Sequence, residues 1–67
     1  MSDFRRRLFE EHDQLHQRME KLKAFIVSDK YDALPEIDRA DLKEQLGHME
    51  RYFGVLSRRT SRQLGNA

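Results

Sequence analysis

The sequence predicts an all-α fold: an antiparallel two-helix hairpin that assembles into a homo-oligomeric helical bundle. Three observations predict it. Apolar residues recur at alternating three- and four-residue spacing in both halves of the chain, a lone proline stands near the middle, and apolar content is low for a chain this short. Of 67 residues, 37% are hydrophobic and 37% charged. Each helix therefore carries one narrow apolar stripe, in a domain near the lower size limit for independent stability. No cysteine is present, so neither disulfides nor thiolate-bound metal can compensate, which leaves self-association as the stabilising device.

The whole chain, 1–67, reads as one hairpin domain, with helix 1 at about 3–27, a connection at 28–34 and helix 2 at about 35–62. In helix 1 the stripe is Leu8, Leu15, Met19, Leu22 and Ile26, with His12 also at a stripe position. Ser2 or Asp3 caps its start, where a negative charge is favourable. In helix 2 the stripe is Leu42, Leu46, Met49, Phe53 and Leu56. No sustained period-two alternation suggests a strand. Pro35 suits the first turn of helix 2, where its missing N–H has no partner to lose, and Leu34 before it is biased away from helical dihedrals. Asp38 is a fallback cap. Tyr31, Leu34 and Ile37 are expected to plug the hairpin tip, and the tail Leu64-Gly65-Asn66-Ala67 to fray. A short connection forces the helices antiparallel. Two helices share a single interface, so Phe9, Phe25 and Val27 beside the first stripe, and Tyr52 beside the second, are left for other copies to cover.

Thirteen Lys and Arg oppose twelve Asp and Glu, a net charge of +1, so any electrostatic function must come from arrangement. Residues 1–7 hold Arg5, Arg6 and Arg7 against Asp3, and residues 51–67 hold Arg51, Arg58, Arg59 and Arg62 with no acid. An antiparallel hairpin brings these segments to one end. The other end carries Asp29, Asp32, Glu36, Asp38, Asp41 and Glu44. The helix dipole accounts for acids at helix starts and bases at helix ends, but not for three arginines at the start of helix 1. Arginine favours bidentate recognition of phosphate, with a solvated basic surface as the plainer alternative.

Ala40, Gly47, Gly54 and Ser61 recur every seven residues on helix 2, well away from its apolar stripe. Each mid-helix glycine costs about 1 kcal/mol relative to alanine. These four are assigned to the oligomer interface, with close ligand approach as the second reading. Arg5, Phe9, His12 and His16 share one side of helix 1 and could cradle a base and its phosphate. Alternatively, Phe9 is an intersubunit core residue and His12 a satisfied, buried imidazole. Tyr52 and Arg59, seven apart, offer a stacking-plus-phosphate pair. The candidate ligand-binding residues are Arg5, Arg6, Phe9, His12, Tyr52, Arg58, Arg59 and Arg62. His12 and His16 are spaced to share a metal, but no third ligand accompanies them, so neither metal nor cofactor is expected. With no glycine-rich phosphate loop, and no cysteine or serine near a histidine in a recognisable nucleophile arrangement, the chain reads as a binding protein and not an enzyme. No apolar run approaches a membrane span, and the N-terminus lacks the apolar core of a signal peptide, so a cytoplasmic protein is expected.

The pattern Leu15-x3-Met19-x2-Leu22-x2-Phe25-Ile26, then Tyr31-x2-Leu34-Pro35, then Leu42-x2-Gln45-Leu46-x2-Met49-x2-Tyr52-x3-Leu56-x2-Arg59 resembles a group of small bacteriophage helical-hairpin proteins. In size and organisation the chain is also similar to the phage anti-CBASS and Thoeris anti-defence hairpin proteins. That resemblance implies an oligomer, dimer to hexamer, that sequesters a cyclic di- or oligonucleotide or a cyclic ADP-ribose-type messenger in pockets between subunits, without cleaving it. The setting implied is the bacterial host cytoplasm. Two other classes compete. One is an RNA- or DNA-binding hairpin regulator, similar to the plasmid copy-number protein built as a four-helix bundle, against which the acidic tip and near-neutral charge argue. The other is a protein–protein adaptor that blocks a host factor with its acidic end.

Overall fold

A computed structural model describes residues 3–65. Three helices follow in order, α1 (Asp3–Ile26), α2 (Asp29–Asp32) and α3 (Glu36–Gly65), and no strand occurs among the described residues. They form a rod of 48 × 16 × 15 Å.

Asp3 stands in the first turn of α1 and pairs with Arg6 at 3.3 Å, a negative charge at the positive end of the helix dipole. Ser2, the other expected cap, lies outside the described residues, as do Asn66 and Ala67 of the tail. Helix α1 stops at Ile26, and Val27 beyond it is 84% exposed. Ser28 is the reason. Its N–H and its hydroxyl both donate to the Phe25 carbonyl, at 3.0 and 2.6 Å, and its Oγ accepts from the Tyr31 N–H at 3.4 Å. One side chain thus closes α1 and caps α2, making a turn of helix inside the segment expected to be a loop. Four residues are too few for hydrophobic periodicity to reveal.

Pro35 lies just outside α3, with its carbonyl accepting from the Arg39 N–H at 3.1 Å. The proline, expected as the first helical residue, occupies the cap position instead, so that α3 starts one residue later at Glu36, and Asp38 sits in the first turn beside Glu36 instead of capping it. At the far end α3 runs past Arg62 to Gly65, so Leu64 and Gly65 are helical.

Tyr31 is buried at the tip. Its ring meets Phe25 edge-on at 6.2 Å, and its hydroxyl donates to the Arg39 carbonyl at 3.0 Å, fastening α2 to α3. Leu34 is half-buried, but Ile37 is 68% exposed and takes no part in the plug. It sits on the side of α3 turned away from α1, about 140° from the core-facing residues at 100° per residue.

The core is a single seam. Leu8, Leu15 and Met19 of α1 form one cluster with Leu56 of α3, which is wholly buried, and Leu46, Met49 and Phe53 pack against it. Leu22, Ile26 and Leu42 are half-buried. Thr60 is also buried, its hydroxyl satisfied by the Ser57 carbonyl at 3.0 Å. Contacts between residues 5 and 63, 12 and 57, and 11 and 52 fix the two long helices as antiparallel.

Candidate functional site

At the basic end the first turns of α1 lie beside the last turns of α3. The Arg5 guanidinium sits over the Phe9 ring, 5.9 Å from its centroid, and its Nη2 donates to the Gln63 carbonyl at 3.5 Å. Arg59 reaches across from α3 to the Phe4 ring at 5.8 Å. Two guanidinium–aromatic pairs therefore stand at one end of the rod, each a favourable cation–π contact. Phe4, half of whose surface is open, was not singled out from sequence, although an aromatic residue next to an arginine triplet is a visible signal. Arg6, Arg7, Arg58 and Arg62 are exposed around these pairs, making the basic end an open surface with stacking rings set into it.

The four residues expected to share one side of α1 fall into two groups. Arg5 and Phe9 belong to the basic end. His12 instead stacks on Phe53 across the helix seam, with centroids 4.6 Å apart and planes at 29°. Its Nε2 is 3.4 Å from Ser57 Oγ and its Nδ1 is 3.2 Å from Asp13 Oδ1, so a serine does stand beside a histidine, contrary to the sequence expectation, because the two meet only across the helix seam. His16 tilts onto the same Phe53 ring at 5.6 Å. One phenyl ring is thus flanked by two imidazoles, which is a packing arrangement between helices. No group of three metal-ligating side chains occurs among the described residues.

Tyr52 and Arg59 do not form a direct pair. The Tyr52 hydroxyl donates to a carboxylate oxygen of Glu11 on α1. That hydrogen bond stabilises the protonated phenol and pushes its pKa above the usual 10.0. Desolvation and the Glu11 charge add to the rise, while Arg59 and Arg18 oppose it. Tyr52 as a whole stays 42% exposed.

The opposite tip holds a feature that sequence reading missed. A depression of about 310 Å³ is lined by Tyr31, Glu36, Arg39, Ala40 and Lys43, and the Arg39 Nε is buried without a hydrogen-bond partner. Two cations sitting among many acids gave no charge signal in the sequence.

The small-residue stripe faces outward. Ala40 and Ser61 are exposed, and a Cβ added at Gly47 or Gly54 would meet nothing within 4 Å. Neither glycine adopts a positive φ. Packing within the hairpin therefore gives no reason for the two glycines, whose cost to helix stability is uncompensated in the single chain.

Among the described residues, no helix is long and apolar enough to cross a membrane. Compared with known proteins, residues 2–62 match the family model described as Sequestin. No curated protein and no solved structure matches the chain.

Proposed function

Because the chain belongs to the Sequestin family, we propose that it captures a small ligand and withholds it, that the ligand is a cyclic nucleotide immune messenger, and that the protein leaves it chemically intact. The family's name denotes sequestration, in keeping with a binding role. The observation that carries the nucleotide reading is the pairing of cation with aromatic face at one end of the rod, Arg5 with Phe9 and Arg59 with Phe4, ringed by exposed Arg6, Arg58 and Arg62. A nucleotide presents the complementary surface: phosphate oxygens for the guanidinium N–H groups and bases for the rings.

In this reading Arg5, Arg6, Arg58, Arg59 and Arg62 hold phosphates, and Phe9 and Tyr52 stack on bases. His12, stacked on Phe53, steadies the wall behind them. Each charge-assisted hydrogen bond contributes about 1.5–3 kcal/mol and each stacked base about 1–3 kcal/mol. A few of each exceed the roughly 8 kcal/mol of micromolar affinity, leaving a margin for ordering the side chains. An open surface on one hairpin encloses little, so a pocket requires a second copy of the chain.

Thermal denaturation with cyclic di- and trinucleotides and cyclic ADP-ribose isomers tests the reading. The expected result is a raised midpoint with at least one of them, lost in an Arg59→Ala variant. No shift with any, at several hundred micromolar, would remove the proposal. Gel retardation of RNA or DNA with steep salt dependence would favour the polymer-binding class instead.

A further inference from the structure

Helix α3 packs on α1 through Leu46, Met49, Phe53 and Leu56, and its other side has no partner within the chain. At about 100° per residue, Ala40, Gly47 and Gly54 run along that open side, roughly 160°, 140° and 120° from the core-facing residues. Lys43 and Glu50 border it on one edge, Glu44 and Arg51 on the other, and all four are exposed. Ile37, 68% exposed, continues the second edge. The face is thus smooth along its centre, edged by alternating charge, and ends in an acidic tip one way and an arginine-rich end the other.

We infer that this face binds the same face of a second copy, with the two α3 helices antiparallel and the two-fold axis at Gly47. The inference rests on the self-association part of the function proposed above and names its partner surface. In this register Gly47 meets its own copy, and Ala40 meets the partner's Gly54. Glu44 then lies across from the partner's Arg51 and Lys43 across from the partner's Glu50, each pair occurring twice by symmetry. Sliding the register by seven residues either way sets like charges at the axis, Glu44 and Lys43 against themselves in one direction and Arg51 and Glu50 against themselves in the other. A parallel pair also matches signs along the edges, Glu44 with Lys43 and Arg51 with Glu50. It nevertheless stacks both arginine-rich ends side by side, whereas the antiparallel pair sets Arg58 of one copy beside Glu36 of the other. Charge complementarity over the full length therefore selects the antiparallel pair. The absence of Cβ atoms at Gly47 and Gly54 lets the backbones close, and the aliphatic stem of the partner's Arg58 covers Ile37. The tip depression beside Ala40 and Lys43 is then roofed by the partner's Gly54 and Arg58, giving each dimer two equivalent enclosed spaces between copies.

Double charge exchange tests orientation. The single variants Glu44→Arg and Arg51→Glu should each weaken self-association about tenfold or more, measured by sedimentation equilibrium of the full chain. The double variant Glu44→Arg with Arg51→Glu should restore it, because the exchanged charges still face each other. In a parallel pair the double variant is worse than either single one, since each edge then carries like charges. Engineered cysteines in this cysteine-free chain fix the register independently. Ala40→Cys mixed with Gly54→Cys should give a mixed disulfide-linked dimer, and neither variant alone should cross-link with itself. Self-linking of either, or preferential linking of Ala40→Cys with Ser61→Cys, overturns the register while leaving an oligomer in place. A native chain that stays monomeric at several hundred micromolar overturns the pairing altogether. Dimers that ignore every cyclic nucleotide would instead count against the ligand reading and leave the pairing standing.

Discussion

Replacing Gly47 and Gly54 together with alanine separates what the hairpin needs from what its assembly needs. In the single chain each new methyl group points into open space, with no atom within 4 Å of its Cβ, and neither glycine has a positive φ that alanine would strain. Each substitution should therefore recover the helix-propensity difference, about 0.8–1 kcal/mol, or about 2 kcal/mol for the pair. For a domain of this size 1 kcal/mol shifts the midpoint by about 4–8 °C, so the double variant should melt roughly 8–16 °C higher when both proteins are dilute. In the paired state the same methyls stand at the closest approach of two backbones and push them apart. Thermal unfolding over a hundredfold range of protein concentration reads both effects. The native midpoint should climb with concentration, as for any species stabilised by association, and that of the variant should start higher and stay flat. A variant less stable than the native chain at low concentration would show that the glycines serve the hairpin itself. An unchanged concentration dependence would show that the stripe is not the interface.

Other expectations follow from single contacts. Leu56→Ala empties the one wholly buried side chain of a thin core, a loss of about 2–5 kcal/mol that should leave most of the chain unfolded by far-ultraviolet circular dichroism at room temperature. His12→Ala removes the imidazole stacked on Phe53 and should cost about 1 kcal/mol in urea denaturation, with messenger binding retained when tested below the unfolding range. Tyr52 has its folded pKa raised by the hydrogen bond to Glu11. The stability this linkage supplies is complete below the unfolded value of 10.0 and is lost as pH rises through the higher folded value. Tyr52→Phe should flatten that part of the alkaline fall in stability while keeping the ring available for stacking. Arg58→Ala with Arg62→Ala should weaken nucleotide binding and reduce its salt sensitivity, seen by titration at two ionic strengths, with no loss of helix content because both side chains are exposed.

What the sequence made legible was whatever repeats along a helix. The stripes Leu8, Leu15, Met19 and Leu46, Met49, Phe53, Leu56 mark the faces that pack, because burial acts on every turn of a long amphipathic helix. Boundaries were legible to within a residue or two on both sides of the connection. The one-turn helix Asp29–Asp32 was not, because it depends on the hydrogen bonds of a single residue, Ser28. The extension of α3 to Gly65 was missed because no apolar position after Leu56 keeps the stripe going, and Leu64 remains exposed. At the candidate site, sequence spacing put Arg5, Phe9, His12 and His16 on one side, which is true of an isolated helix. It could not show that Phe53 on the opposite helix would take the two histidines and leave Arg5 with Phe9. Phe4 beneath Arg59, Glu11 at Tyr52 and the cations of the tip depression are likewise products of how two helices meet, which one-dimensional periodicity does not encode.

Equilibrium dialysis of a labelled cyclic nucleotide against the protein, followed by heat release and chromatography, tests sequestration most directly. The ligand should be drawn into the protein compartment in a fixed ratio to the chain and should return unaltered when the protein is denatured. Equal concentrations on both sides of the membrane, for every cyclic nucleotide tried, or recovery of a linear product, would contradict the account.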